Sequence, residues 1–231
     1  MINKVVSCIH EAVSVIPDNA HVAIGGFGGA GMPGDLIDAL IAHGPRNLTL
    51  ISNNAGQGET GIAALLASGL VQKICCTFPR MPGSHVFDRL YKSGELELEL
   101  IPQGTLAERL RATGCGIGGF FTPTGFGTLL GEGKEVRRFG DINYVLELPI
   151  RVDFALIRAE RGDRWGNLAY RKTARNFGPV MATAARHTIA SVGRVCELGE
   201  IDPEEVVTPG VFVQALVERS ASSGTPAGGG I

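Results

Sequence analysis

The stretch GGFGGAGMP, at residues 25–33, decides the fold. The short apolar run at 21–24 precedes it and is predicted to be a strand. Apolar residues recur at helical spacing after it, through Ile41, and Pro33 suits a first helical turn because the N–H that proline lacks would have no partner there. The glycines are therefore predicted to form a tight turn that joins a strand to a helix.

The alternation of strand and helix continues outward from this unit. A helix is predicted before it, over residues 4–16, where apolar residues have helical spacing. Strands and helices that alternate at this length are typical of an α/β fold with a mostly parallel open sheet covered by helices. The predicted strands are 47–52, 71–78 and the half-exposed edge strand 95–101, and the predicted helices are 60–68, 85–92 and 105–113.

The second half of the chain contains a predicted hairpin. Its two stretches, 135–139 and 143–148, are separated by Gly140-Asp141. After the hairpin we predict a strand at 153–159, a turn at 162–167, a strand at 169–172, a helix at 179–185 and a strand at 188–196. We expect a single domain over residues 1–219 and a disordered tail of small, polar residues at 220–231.

Composition bears on several classes of partner and ligand. The formal charge is −2, from 21 basic and 23 acidic residues without a dense basic run, so a nucleic-acid partner has little support. No segment approaches the ~18 apolar residues of a membrane span, and no signal peptide is recognisable. The five cysteines lack metal-type spacing, and we expect Cys75 and Cys76 to be reduced core residues. We therefore expect no membrane association, no metal and a cytoplasmic location.

A dinucleotide site is the first alternative for the glycine turn. Gly26, Gly28 and Gly31 satisfy the pattern G-x-G-x-x-G between a strand and a helix. That fingerprint also calls for an acidic residue about 20 positions on, to hold a ribose. The next strand ends instead in the neutral residues 52–54, and the bulky Phe27 occupies the turn. A nicotinamide or flavin site is therefore disfavoured.

Neutral amides and glycines follow three successive strands. The glycine turn follows the first strand, Asn53 and Asn54 end the second, and Gln103 and Gly104 follow the strand at 95–101. Because ligands of parallel α/β sheets bind at the carboxyl ends of strands, we expect these groups to converge on one crevice. Isolated amides of this kind are usually turn formers, but three aligned ones indicate a site.

The motifs of the chain resemble the A half of the family I coenzyme A transferases. The resemblance extends over nearly the whole chain up to about residue 215. It is carried by Asp18-Asn19 with the following GGFGGAGMP, SNNAG (52–56), SGELELELIPQGTLAERLRATG (93–114), FFTPTGFGTLLGEGKEVR (120–137), DFALIRA (153–159), GDRWGN (162–167) and YRKTARNFGP (170–179).

This resemblance implies a ping-pong reaction that passes through a glutamyl-CoA thioester. In the family, the nucleophilic glutamate belongs to the B half, in a Ser-Glu-Asn-Gly motif, and the CoA thioester is a substrate, so that no cofactor is expected. No Glu-Asn dipeptide occurs in this chain. The resemblance therefore implies that the chain holds no catalytic nucleophile and is active only with a B-subunit partner.

By resemblance, this chain contributes groups that bind the substrate and the oxyanion. Gln103 and Asn53 would donate hydrogen bonds at the reacting carbonyl, and the glycine turn would form the wall that faces the partner's glutamate. The expected substrate- and oxyanion-binding residues are Gly26, Phe27, Gly28, Gly31, Asn53, Asn54, Arg80, Gln103 and Gly104. We leave the basic group Arg171, Lys172 and Arg175 out, as a solvated or interface face.

Two short segments suggest a substrate. CTFPR (76–80) and ARNFGPVMA (174–182) are most similar to family members that take CoA from succinyl-CoA to 3-oxoadipate, in the beta-ketoadipate pathway of aromatic compound catabolism. Arg80 could pair with the second carboxylate of 3-oxoadipate, or it could be a solvated surface arginine; both interpretations stay open. An A subunit for acetoacetate or another short-chain 3-oxoacid, and a non-enzymatic nucleotide-binding module, are the alternatives.

The glycine-rich stretch 114–133 is the expected contact with the B subunit. It carries several large apolar side chains, among them Phe120, Phe121 and Phe126, which are too many for a free loop. Obligate complexes commonly bury more than ~2,000 Å². The sequence leaves open whether the assembly is a heterodimer or a dimer of heterodimers.

Overall fold

A computed structural model describes residues 2–219 as a parallel sheet flanked by helices, with a small second sheet. The strands are β1 (His21–Ile24), β2 (Leu48–Asn54), β3 (Val71–Phe78), β4 (Glu97–Leu100), β5 (Phe120–Thr122), β6 (Val136–Phe139), β7 (Ile142–Glu147), β8 (Phe154–Asp163), β9 (Leu168–Ala169), β10 (His187–Cys196) and β11 (Ala215–Glu218). The α-helices are α1 (Ile9–Val13), α2 (Gly34–His43), α3 (Ile62–Ala67), α4 (His85–Ser93), α5 (Gln103–Cys115) and α6 (Gly178–Ala184). Short 3-10 helices lie at Leu129–Gly131, Lys172–Arg175, Pro203–Glu205 and Gly210–Phe212.

The order of the strands places the glycine turn at the centre of the main sheet. The order is β11-β10-β8-β1-β2-β3-β4, all pairs along it are parallel, and β9 pairs antiparallel with β8. β2, β3 and β4 follow β1 in the sequence and lie on one side of it in the sheet. β8, β10 and β11 come later in the sequence and lie on the other side of β1. The carboxyl end of β1 is therefore a topological switch point, which is where open α/β sheets bind ligands.

Two hydrophobic layers cover the sheet, one on each face. Leu50 of β2 packs in the layer that includes residues of α1, α2, α3 and α4. Ile51, the next residue of the strand, packs with Leu106 of α5 and Met181 of α6 on the opposite face. This alternation follows from strand geometry, and it separates neighbouring residues at the end of β2 as well.

The structure confirms the predicted class of fold, a mostly parallel sheet covered by helices. It also confirms the hairpin, in which β6 and β7 pair antiparallel and β5 joins β7 to form the second sheet. β4 lies at the edge of the main sheet, as the alternation of Glu and Leu predicted. β5 and β11 were not predicted from the sequence.

The predicted helix over 4–16 is wrong at its start. Only Ile9–Val13 is α-helical, and Val5 forms a parallel bridge with Leu216 of β11. Val6 N donates to Leu216 O over 2.9 Å, and Leu216 N donates to the carbonyl oxygen of Lys4 over 2.8 Å. The edge of β11 thus forms hydrogen bonds with the backbone of residues 4–6, which a helix would have formed internally. Val5 and Val6 are β-branched and therefore suit an extended backbone.

The predicted strand at 169–172 is also wrong. β9 ends at Ala169, and a 3-10 helix at Lys172–Arg175 follows. The turn before β9 is shorter than predicted, because β8 continues to Asp163. The Asp163 carboxylate accepts from the backbone N–H groups of Trp165 and Asn167 over 2.9 and 3.0 Å, which fixes this turn.

Two further expectations concern the ends of the chain and the membrane. The predicted disordered tail at 220–231 lies outside the described residues. None of the helices between residues 2 and 219 has the length and apolarity needed to cross a bilayer.

Candidate active site

The glycine turn after β1 is a narrow hairpin. Phe27 N donates to Ala30 O over 3.0 Å, and Ala30 N donates to Phe27 O over 3.1 Å, so that Gly28 lies at the tip. Phe27 itself is 51% exposed. Gly31 follows with φ +71°, and a Cβ there would collide with the carbonyl oxygen of Ala174. Glycine is required at position 31 both by the backbone conformation and by this close approach.

Asn53 and Gln103 form an amide pair at the carboxyl end of the sheet. Asn53 is the penultimate residue of β2, which runs two residues further than predicted, and its side chain is buried. Its Oδ1 accepts from Gln103 Nε2 over 2.8 Å and from Thr77 Oγ1 over 2.9 Å. Both donors point at the same oxygen and thereby fix the orientation of the amide.

Donor groups around this pair are left for a ligand. Asn53 Nδ2 donates to no group in the part of the chain that the structure describes. Gln103 begins α5 two residues earlier than predicted, and the first internal bond of this helix is from Leu106 N to Pro102 O. The N–H groups of residues 103–105 are therefore unpaired within residues 2–219, at the positive end of the helix dipole. This arrangement can stabilise a negatively charged oxygen.

Asn54 faces the other side of β2. Its Oδ1 accepts from Gly56 N over 2.9 Å, and the residue borders a crevice of about 1140 Å³. The crevice lies between the tip of the glycine turn, the start of α2, the loop before α3 and the middle of β8. Gly28 and Gly31 line it, whereas Asn53 and Gln103 do not. Gly28, Gly31 and Asn54 thus form one group, and Asn53 and Gln103 form a second group on the opposite face of β2. The structure does not bring the two groups together in the one crevice that the sequence predicted.

Arg80 lies outside both groups. Its side chain is exposed, its Nε donates to Asp88 Oδ1 over 2.6 Å, and its guanidinium lies 5.9 Å from the centre of the Tyr91 ring. Hydrogen bonding from Arg80 lowers the pKa of the Asp88 carboxyl. The next residue, Met81, lines the crevice, so that Arg80 stands beside its rim. A substrate carboxylate at Arg80 would have to compete with Asp88 or share the guanidinium with it.

The ionised groups near α5 have structural partners. Burial would raise the pKa of Glu99, but hydrogen bonds from Arg109 and Lys73 outweigh burial and lower this pKa to about 2. Arg109 also donates to Leu148 O over 2.8 Å, which attaches α5 to the segment that follows β7. Burial raises the pKa of the neighbouring Cys75 thiol to about 12. Cys75 is a free, buried cysteine, as predicted.

None of the glutamates within residues 2–219 hydrogen-bonds to the amide pair. The most buried of them, Glu147, pairs with Lys134 in the small sheet, where the two atoms Lys134 Nζ and Glu147 Oε1 are 2.5 Å apart. Glu59 and Glu160 line the crevice beside Asn54 instead. That the nucleophile belongs to a partner subunit stays a prediction.

Several residues at the site were not found from the sequence. Arg158 and Glu160, in the middle of β8, and Tyr170 line the crevice beside Asn54. Asn176 hydrogen-bonds to both sides of the glycine turn. The motif ARNFGP pointed to this segment, but no local pattern showed that it contacts a turn about 150 residues earlier.

Comparisons with known proteins identify the family. The family model for coenzyme A transferase matches residues 6–219. The chain is 60% identical to the A subunit of the 3-oxoadipate CoA-transferase of Pseudomonas putida over 223 residues, which are 96% of each chain. It is 46% identical to the A subunit of the probable succinyl-CoA:3-ketoacid coenzyme A transferase of Bacillus subtilis, over 93% of this chain and 89% of that protein.

A solved structure extends the comparison to the fold. An acyl-CoA transferase from Escherichia coli O157:H7, in a thioester complex with CoA, superimposes with a TM-score of 0.82 at 25% identity. The alignment covers 98% of this chain and 49% of the solved one, so this chain spans about half the length of that protein. These matches confirm the resemblance expected from the sequence: the chain belongs to the coenzyme A transferase family.

Proposed function

We propose that this chain is the A subunit of a heteromeric CoA-transferase that moves CoA from succinyl-CoA to 3-oxoadipate. The observation that carries the proposal is 60% and 59% identity, over nearly the full length, to two proteins named as A subunits of 3-oxoadipate CoA-transferases. The identity to the succinyl-CoA:3-ketoacid relative from Bacillus subtilis is lower, at 46%. In this proposal the enzyme serves the beta-ketoadipate pathway of aromatic compound catabolism.

The reaction proceeds in two half-reactions. A glutamate of the B subunit, in a Ser-Glu-Asn-Gly motif, attacks the carbonyl carbon of succinyl-CoA and forms a mixed anhydride, with CoA as the thiolate leaving group. The thiolate then attacks the glutamyl carbonyl of the anhydride, which releases succinate and leaves a glutamyl-CoA thioester. In the second half-reaction a carboxylate of 3-oxoadipate attacks the glutamyl-CoA thioester, which forms a second mixed anhydride and releases the CoA thiolate. The thiolate then attacks the 3-oxoadipyl carbonyl of this anhydride. 3-Oxoadipyl-CoA leaves, and the glutamate is regenerated.

The amide pair acts on the charge that develops in these steps. Each attack places negative charge on a carbonyl oxygen, and Asn53 Nδ2 together with the first N–H groups of α5 supplies donors for it. The bonds from Thr77 and Gln103 to Asn53 Oδ1 hold the Asn53 amide in place before the substrate arrives. Such preorganised donors stabilise a transition state without reorganising during the reaction.

The neutrality of the amide pair suits this chemistry. A fixed Lys or Arg beside the partner's glutamate would stabilise the ground-state carboxylate as well as the transition state, and would gain little rate. Phe27 is the one large side chain within residues 25–31, so that backbone forms most of the wall toward the B subunit. We propose that the stretch 114–133 contributes to the contact with that subunit, since Phe126 and Leu129 are exposed there.

A second candidate function is an A subunit for acetoacetate or another short-chain 3-oxoacid. The relative from Bacillus subtilis, whose name specifies a 3-ketoacid, favours it. The two candidates share the mechanism and differ only in the acid that the site accepts.

One experiment tests the proposal and separates the candidates. The chain is expressed with a B subunit that carries the Ser-Glu-Asn-Gly motif, and the purified complex is supplied with succinyl-CoA and either 3-oxoadipate or acetoacetate. The CoA thioesters are separated by chromatography. The proposal predicts 3-oxoadipyl-CoA as the favoured product; a complex that prefers acetoacetate supports the second candidate, and a complex that forms neither thioester contradicts both.

A further inference from the structure

The side chain of Asn176 connects the two sides of the glycine turn. Its Oδ1 accepts from Gly26 N over 3.1 Å, and its Nδ2 donates to Ala30 O over 2.9 Å. The hairpin extends from Phe27 to Ala30, which bond to each other, and Gly26 is the residue before it. One carboxamide therefore bridges the beginning and the end of the turn.

The remaining hydrogen-bonding positions of this carboxamide are also occupied. Oδ1 accepts a second bond from the backbone N–H of Phe177 over 2.7 Å, and Nδ2 donates a second bond to Thr173 O over 3.1 Å. An asparagine amide offers two N–H donors, and both are used here. Asn176 therefore has no donor left for a substrate, and any influence on the reaction must pass through the turn.

The segment that carries Asn176 is held in an unusual backbone conformation. Asn176 has φ 21° and ψ −118°, outside the regions that residues other than glycine normally occupy. Two residues earlier, the carbonyl oxygen of Ala174 lies where only a glycine fits, against Gly31. Conformations of this kind are strained and persist where the surrounding structure requires them, often at functional sites.

We propose that Asn176 is a positioning residue for CoA transfer, which holds the glycine turn in the geometry that faces the partner's glutamate. The catalytic part of this inference, that the turn must be held for CoA transfer, rests on the proposed function. Asn176 holds the turn through its hydrogen bonds to Gly26 and Ala30. These bonds set the position of Phe27 and Gly28 relative to the end of β1. A displacement of about 1 Å at a reacting centre can cost on the order of 100-fold in rate.

Two variants and one matched control test the role. Asn176→Gly removes both bonds to the turn and tolerates the backbone conformation, whereas Asn176→Asp keeps the acceptor for Gly26 N and loses the donor to Ala30 O. The control is Asn19→Gly, since Asn19 is also an asparagine with positive φ, of 61°, but precedes the amino end of β1. Hydrogen exchange of residues 25–31, thermal unfolding and steady-state kinetics are measured on the complex with the B subunit.

Positioning predicts a specific combination of results. Exchange at residues 25–31 becomes faster in Asn176→Gly and unchanged in Asn19→Gly. The kcat falls by about 100-fold in Asn176→Gly and about 10-fold in Asn176→Asp, while KM for succinyl-CoA changes less than about threefold. If Asn176→Gly does not fold, Asn176→Asp decides by the same measurements.

Three results would separate the possible failures. Unchanged exchange in the Asn176 variants overturns the bridging role, whatever the activity. Faster exchange with unchanged kcat overturns the positioning role, because the bonds then serve stability alone. A wild-type complex that transfers no CoA contradicts the proposed function, and the exchange comparison still decides whether Asn176 holds the turn.

Discussion

Gln103 Nε2 donates a hydrogen bond to Asn53 Oδ1 over 2.8 Å, although the two residues are 50 positions apart in the chain. The contact joins the end of β2 to the start of α5 across β3, which adds Thr77 Oγ1 as a second donor. It holds the amide of Asn53 in one orientation and leaves the Nδ2 donors for a ligand. This relationship supports the oxyanion-stabilising role that we propose for the chain.

Removing the donor of the amide pair should slow acyl transfer. We expect Gln103→Ala to lower kcat of the complex by about 10²–10³, since Asn53 loses a bond that orients it and the site loses an amide beside the developing oxyanion. Steady-state kinetics with succinyl-CoA measure the effect. The control is Gln72→Ala, an exposed glutamine at the opposite end of β3. Equal activity of Gln103→Ala and the wild type would show that Gln103 does not contribute to acyl transfer.

Two glycines of the site should respond differently to alanine. Gly31→Ala places a methyl group against Ala174 O and Asn176 and imposes an unfavourable φ of +71°, so we expect a loss of at least about 2 kcal/mol in stability. Gly104→Ala meets open space in the first turn of α5 and should leave the free energy of unfolding unchanged or raised by up to about 1 kcal/mol. Urea unfolding of both variants measures this, and similar losses in both would be evidence against the contact at Gly31.

Glu99 should contribute to stability in a manner that depends on pH. Its pKa in the folded chain is about 2, against an ordinary value of 4.5, so the stabilisation is fully present above pH 4.5 and is lost as the pH falls toward 2. We expect Glu99→Gln to lower stability at pH 7 on the order of 1 kcal/mol, because Glu99 is partly exposed and solvent screens its ion pairs. The loss should shrink between pH 4.5 and 3.

Urea titrations at pH 7, 4.5 and 3 check this prediction. The matched control is Glu97→Gln, whose carboxylate also pairs with Lys73 but is mostly exposed, and which should change stability less. A loss in Glu99→Gln that is the same at pH 7 and pH 3 would contradict the assignment.

Arg80 should affect selectivity if it binds the distal carboxylate of 3-oxoadipate. We expect Arg80→Ala to lower kcat/KM for 3-oxoadipate by about 10- to 100-fold relative to acetoacetate, since a charged hydrogen bond is lost with one substrate only. Arg89→Ala, which alters an arginine of the adjacent helix, is the control. An unchanged ratio of the two specificity constants would assign Arg80 to the surface, where it pairs with Asp88.

The sequence predicted the layers of the fold better than the assembly of the site. The glycine turn, the strand ends and the hairpin follow from local periodicity and turn residues, which act over a few positions. The alternation of side chains along β2 shows why Asn53 and Asn54, although adjacent, belong to opposite faces of the sheet. The contact between Asn176 and Gly26 spans 150 positions, and no local pattern encodes it.

Long-range pairing also explains the incorrect predictions. Residues 4–6 have helical spacing, yet they pair with β11, whose position depends on the rest of the sheet. The segment after β9 was predicted to continue as a strand but forms a 3-10 helix, in which Lys172 has φ +48°. Lys172 and Arg175 line a small cavity beside Phe27 and Ala30 of the glycine turn. In both cases tertiary contacts decide between local conformations of similar energy.

In our proposal this chain supplies half of an active site whose nucleophile belongs to its partner. The most direct test is to incubate the complex with succinyl-CoA in the absence of an acceptor acid and to measure the intact mass of both chains. We expect the B subunit to gain the mass of CoA less one water, and this chain to keep its unmodified mass. Covalent CoA on this chain, or transferase activity of this chain alone, would contradict the proposal.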